Sequence, residues 1–433
     1  FWHGHFATNE EKVRDYRKLL QQVELFQHEG LGNFRTLLIE VAKGPAMLAF
    51  LDAGVNVKGA PNENFAREIM ELFTMGVGHY GERDIREAAR AFTGWNFTGL
   101  DYRFNADQHD VGEKEVLSQR GKFDGDQVIE LILAQPVTAE FIAAKIYRYF
   151  VRDDVAPELT QQLGLKLRDL NYELAPFLEW IFLSQDFYAP ESVATRIKSP
   201  VELLVSTYRK LGLESVPGVP DFNEVCEALG QRLLHPPTVA GWAYGRSWIT
   251  PGLLLARGNF VLDVMFPDIN FIPHDRYPEY AAGAEIRTVH ERIRAGLDIT
   301  SATKPVIEEG GGEMMAMSNA MADHDEDFNT RYASYRGWQK AIERVRPISR
   351  HMARFDLATM VTDQRLTTPE AVVDYFATRF LSLPLDAESR RALAEFLEQE
   401  LGTTDIQAAA SYSEDPLRKL LHLLLSRPEY QLG

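Results

Sequence analysis

The stretch Pro61-Asn62-Glu63-Asn64-Phe65-Ala66-Arg67-Glu68-Ile69-Met70-Glu71-Leu72-Phe73-Thr74-Met75-Gly76 constrains this chain more than any other. It carries both ends of a helix and both of its faces. Asn62 offers a side-chain oxygen to the first unpaired N–H groups, and Gly76 suits the left-handed backbone that closes a helix. At about 100° per residue, Phe65, Ala66, Ile69, Leu72 and Phe73 make one apolar stripe. Glu63, Asn64, Arg67, Glu68 and Glu71 take the opposite arc. Such a face either lies in water, laced with ion pairs, or forms a polar seam inside the fold. Arg67 is one turn from both Glu63 and Glu71 and can pair with either. Glu68 and Glu71 are also one turn apart, a spacing that lets two carboxylates share a cation or a proton.

Helix signals recur along the chain. Ser199-Pro200-Val201-Glu202 reads as a capping box with proline at the first helical position, predicting a helix to about Leu211 that stops at Gly212. Thr368-Pro369-Glu370 and Asp415-Pro416 open two more. Residues 139–150 place Ile142, Ile146 and Tyr149 on one face. Asp84 is read as the cap of a helix carrying Glu87 and Arg90, and the short turn before it predicts antiparallel packing on the helix that ends at Gly76. Strand signals are sparse and point to a small hairpin or an ordered loop near Trp95, Phe97 and Phe104. The fold class is therefore mainly α, a multi-helix globular array with small irregular or hairpin elements and a long mobile insertion. Three regions are expected: 1–265 as the main helical domain, 266–340 as an irregular insertion with a mobile loop at about 300–330, and 341–433 as a C-terminal helical region packing on the first.

Charge narrows the partners. The net charge of −17 opposes a duplex nucleic-acid surface, which needs basic residues to replace counterions, and equally opposes docking on anionic lipid. No run of about 18 apolar residues marks a membrane span. The single cysteine, Cys226, precludes an internal disulfide and reads as a small buried hydrophobe. The opening Phe1-Trp2-His3-Gly4-His5-Phe6 is an aromatic cluster suited to an interior, so an upstream segment is expected, with a targeting signal as one content. The sequence holds no Walker A loop, no Gly-x-Gly-x-x-Gly fingerprint and no Gly-x-Ser-x-Gly elbow. The acidic run Asp323-His324-Asp325-Glu326-Asp327 fails as a calcium loop, because Phe328 and Ser334 stand where glycine and glutamate are required.

Five motifs and the chain's close together carry a family resemblance. They are Phe1-Trp2-His3-Gly4-His5-Phe6, with Gly4 where asparagine is usual; residues 61–78 with 88–95; His109-Asp110 with Gly112 and Lys114; Lys198-Ser199-Pro200; His235-Pro236-Pro237 through Gly241-Trp242 and Trp248-Ile249; and finally Arg427-Pro428-Glu429-Tyr430. In this order they resemble the bacterial "domain of unknown function 1800" family. The resemblance implies an exported envelope protein and no particular reaction. It also implies, by gene neighbourhood, a sulfatase- or phosphatase-like envelope protein as a candidate partner.

Candidate chemistry follows from residue type. Glu63, Arg67, Glu68, Glu71, His109 and Asp110 are the catalytic candidates, with carboxylates as acid or base and Arg67 holding them ionised. A carboxylate beside imidazole, as in His109-Asp110, can fix tautomer and basicity. His3, His5, Glu68 and Glu71 are candidate ligands for a divalent metal, and these donors suit zinc, iron or manganese, although no His-Glu-x-x-His pattern is present. Trp95, Trp242, Arg246 and Trp248 are candidate substrate contacts, in a rigid aromatic setting that stacks on sugars or plugs a core. Two readings stay open. One is an exported enzyme with a Glu/Arg/His pocket acting on a carbohydrate or other envelope polymer. The other is a non-catalytic binding or assembly protein, in a complex or oligomer, whose polar face is a structural ion-pair network.

Overall fold

The computed structural model describes residues 1–268 and 350–433. Eighteen α-helices and two small hairpins make up its regular structure, so the mainly α class is observed. The stretches read as an irregular insertion, a mobile loop and an acidic run lie almost wholly outside the described residues.

The chain divides into two units. The first comprises Phe1–Glu214, Phe222–Met265 and Phe355–Gly433. The second comprises Ser215–Asp221 and Phe266–Arg354; within its described part, Arg350 pairs with Asp221 at 3.3 Å and Gly218 N–H donates to His351 O at 2.9 Å.

Local chemistry explains the helices of the first unit. Ser199 and Glu202 close a reciprocal box over helix Pro200–Lys210, at 3.2 and 3.3 Å. Thr368 accepts from Ala371 N–H at 3.3 Å and opens helix Pro369–Phe380. These two helices tie end to end, with Lys210 Nζ on Phe380 O at 2.7 Å and Arg379 Nε on Lys210 O at 2.8 Å. Helix Glu414–Leu425 begins beside the expected Asp415-Pro416. In helix Pro136–Phe150 the buried face holds Ile142 and Ile146 as read, with Tyr147 rather than Tyr149 as the third buried member. That helix packs against Pro157–Asp169 at Gly164, where a Cβ would stand 2.8 Å from the Glu140 backbone.

The core gathers aromatic side chains from sites distant in sequence. Phe6, Phe34, Phe65, Phe73, Phe92 and Phe177 are all at most 1% exposed, and each such burial contributes about 1.5–3 kcal/mol. Hairpin Trp95–Thr98 with Asp101–Phe104 pairs Trp95 with Phe104, as expected. A second hairpin, Lys114–Val116 with Gln119–Gly121, was not expected. Its turn residues Leu117 and Ser118 both take positive φ (49° and 65°) without the asparagine or glycine that would announce such a turn. Cys226 is buried. Among the described residues no single helix is long and apolar enough to cross a membrane.

Candidate functional site

Helix Asn64–Met70 passes into a π turn at Glu71–Met75, and this turn organises the polar groups buried around it. Asn62 accepts from Asn64 N–H at 3.0 Å, and Gly76 closes the element at φ 75°, both as read from the sequence. The turn is stabilised by Thr74, whose hydroxyl donates to Ile69 O at 2.6 Å, and by Gly76 N–H, which reaches back five residues to Glu71 O at 2.9 Å. The last carbonyls of a helix lack partners within it. Here Lys145 Nζ donates to Leu72 O at 3.3 Å, and His5 Nε2 donates to Phe73 O at 3.1 Å.

These bonds fix the state of His5. Nε2 carries the proton, and Nδ1 accepts from Lys145 Nζ at 3.2 Å. Burial, with the Lys145 charge next in size, holds His5 well below the ordinary histidine range. Burial also brings Lys145 down to about 8, and its ammonium lies 4.7 Å from the centre of the Phe141 ring. His3 uses Nε2 to accept from Leu234 N–H at 3.1 Å, stands edge-on to Trp242, and is held at about 4 by burial.

The proposed metal set does not assemble. Both ring nitrogens of His5 are engaged, Nε2 of His3 faces a backbone donor, and Glu71 accepts from the Tyr80 hydroxyl. Among the described residues no three His, Cys, Asp or Glu side chains are grouped to hold a metal.

The carboxylate face is likewise redistributed. Arg67 makes its strongest pair with Glu82, at 3.0 and 2.7 Å, and reaches Glu63 at 3.4 Å. This pairing is largely exposed. Glu68 is half-buried and hydrogen-bonds to no described residue; burial, then the charge of Glu71, raises its pKa.

His109 and Asp110 do not act on each other. His109 Nδ1 sits 2.9 Å from Thr93 O, and its ring stands edge-on to Phe104. Asp110 turns to Arg90, which grips it through Nε at 2.8 Å and a second nitrogen at 3.3 Å. That guanidinium, helped by Gly112 N–H, lowers Asp110 to about 2. Arg90 also holds Glu87 at 2.7 Å and Glu113 O at 3.1 Å. Lys114, only 1% exposed, donates to the carbonyls of Asp110 and Gly112. The acid–base unit expected here is thus a clasp that fixes loop 110–114 to helix Glu82–Ala91.

The tryptophans also differ from their expected use. Trp95, Trp242 and Trp248 are 2%, 5% and 4% exposed, so their faces are packed rather than presented to a ligand. Trp95 meets Phe92 and Tyr102 edge-on. Arg246 and Tyr244 are exposed.

One buried cluster draws Lys198, Trp248 and Tyr430 of the motifs around Arg257, an arginine in an apolar run that carries no motif of its own. Arg257, 1% exposed on helix Pro251–Met265, donates to Trp248 O at 3.0 Å, Gln431 Oε1 at 3.1 Å and Lys198 O at 2.8 Å. Lys198 in turn donates to Tyr430 O at 2.7 Å and lies over the Tyr430 ring. Burial lowers Arg257 to about 10 and Lys198 to about 8. At the other end of the chain, Asn9 donates to Pro236 O at 3.1 Å, and His235 meets Glu10 at 3.1 Å.

A cleft of about 370 Å³ opens elsewhere on this unit, and none of the residues expected to form a site lines it.

A family model described as a protein of unknown function (DUF1800) matches residues 1–432. No curated protein and no solved structure matches the chain.

Proposed function

We propose that the chain, which belongs to the DUF1800 family, is a non-catalytic binding or assembly component of the bacterial envelope. One observation carries this reading: Asp110, Lys114, His5 and Lys198 of the motifs are consumed by the backbone and by other side chains. Asp110 is spent on Arg90, Lys114 on two carbonyls, His5 on Phe73 and Lys145, and Lys198 with Arg257 on four acceptors. A general acid or base needs a proton or lone pair facing substrate. Groups this fully engaged serve to specify packing, as buried polar networks do when each member is satisfied. Export follows from the family resemblance, and the charge of −17 suits a neutral or basic partner.

A second reading rests on Glu68. Its half-buried carboxyl, raised in pKa by burial and then by the charge of Glu71 and without a described partner, supports a role as an acid.

The test compares Asp110→Asn, His5→Gln and Glu68→Gln in the full-length protein. Unfolding midpoint, retention on isolated envelope polymers and release of soluble fragments are measured together. The proposal expects the first two variants to unfold more readily, with retention intact while folded and no fragment release by any protein. Fragment release by the parent that Glu68→Gln abolishes would replace it with the enzymatic reading.

A further inference from the structure

The cleft of about 370 Å³ lies between helix Tyr16–Glu29, residues 40–46 and the tip of the first hairpin at 100–102. Its size falls in the range of small-molecule sites. One wall is aliphatic, made by Leu25, Val41, Pro45 and Leu100. The remainder is polar, and several of its groups are unspent. Gln22 is 7% exposed; its Oε1 accepts from Thr8, while its Nε2 has no hydrogen-bond partner among the described residues. Leaving a buried amide donor unpaired costs about 1–3 kcal/mol, a cost that a ligand hydroxyl in the cleft would relieve. Tyr102 and Glu40 also line the cleft, and the Tyr102 hydroxyl and Glu40 carboxylate hydrogen-bond to no described residue. Burial, then Asp126 and Asp124, raises the Tyr102 pKa, so the phenol stays protonated and can both donate and accept.

The lining is balanced in charge. Lys18 and Lys43 are matched in number by Glu40 and Asp101, and Lys43 is already paired with Asp126 at 2.8 Å. A strongly charged ligand gains nothing net from such a lining. A ligand rich in hydroxyls, with C–H faces to lay on the aliphatic wall, uses all of it.

We propose that this cleft binds one or two rings of an uncharged saccharide, held by Gln22, Glu40 and Tyr102 against the wall of Leu25, Val41 and Leu100. The assignment rests on the binding reading above and names its ligand class.

The experiment is calorimetric titration of the full-length protein. The probes are glucose, galactose, mannose and N-acetylglucosamine, with trimers of glucose and N-acetylglucosamine. Glu40→Ala and Tyr102→Phe are run beside the parent, since both leave the fold's own contacts in place. The site predicts saturable binding of at least one probe, weakened about 10-fold by each variant. Absence of binding by every probe, or binding indifferent to both variants, overturns it, as does preferential binding of a zwitterionic dipeptide included as a control. Product analysis separates the two proposals. A bound saccharide that is cleaved leaves the cleft standing and removes the non-catalytic reading. An unbound panel, with motif variants behaving as expected, does the reverse.

Discussion

His5 Nε2 lies 3.1 Å from the carbonyl oxygen of Phe73, 68 residues further along the chain. This bond joins the opening aromatic motif to the π turn and fixes the proton on Nε2, while burial and the Lys145 charge keep the imidazole neutral. Its replacement by leucine leaves Phe73 O and Lys145 short of a partner. His5→Leu is expected to cost about 2–3 kcal/mol in denaturant unfolding. The pH dependence has a definite sign. The folded chain keeps His5 unprotonated well below 6.5, and keeps His3 so to about 4, whereas the unfolded chain takes up both protons near 6.5. Their contribution is present above pH 6.5 and is lost as pH falls below it. The variant's stability profile is expected to be flatter between pH 6.5 and 4.

Lys145 and Lys198 act in the opposite pH range. Each titrates at about 8 when folded and at 10.5 when unfolded. Between these values the unfolded chain binds more protons, so stability rises with pH from about 8 to 10.5. Lys145→Met is expected to make that rise smaller, read from unfolding midpoints at pH 8 and pH 10.

The two arginine clusters offer a direct contrast. Asp110 and Arg90 are largely buried, and Asp110→Ala leaves a guanidinium facing an emptied clasp. A loss of about 2–3 kcal/mol is expected. Glu82 and Arg67 face water, and Glu82→Ala is expected to leave the unfolding midpoint unchanged within error.

Ser118 is exposed in a backbone conformation that side chains rarely adopt, at φ 65°. Ser118→Gly is expected to stabilise the chain by about 0.5–1 kcal/mol through relief of that strain. An unchanged or lower midpoint would show that the serine side chain has a role of its own.

What the sequence revealed and what it hid divides along the range of the interactions. Ser199 with Glu202, Thr368 with Ala371 and Asn62 with Asn64 satisfy partners two or three residues away, so their helix starts were legible. The stripe Phe65, Ala66, Ile69 and Phe73 was legible too, but Leu72 is only half-buried and Met70 takes the interior instead. The π turn shifts the register by one residue, and a period of 3.6 cannot anticipate that. Pairing of Arg67 with Glu82 rather than Glu71 needed the next helix in place. His109-Asp110 misled because adjacent residues point apart, one to Thr93 and the other to Arg90. Lys145 and Arg257 were invisible because most of their partners are backbone carbonyls, which any sequence supplies.

The setting of Arg257 ties its solvation to residues near the end of this sequence. Its guanidinium is completed by Gln431, 174 residues later in the chain. Lys198 waits still longer, for the carbonyl of Tyr430, 232 residues on. Until those residues are in place, part of the hydrogen bonding of both cations is unmade. Docking of 430–431 against helix Pro251–Met265 supplies those bonds, and a chain without 430–431 would hold two buried cations short of partners.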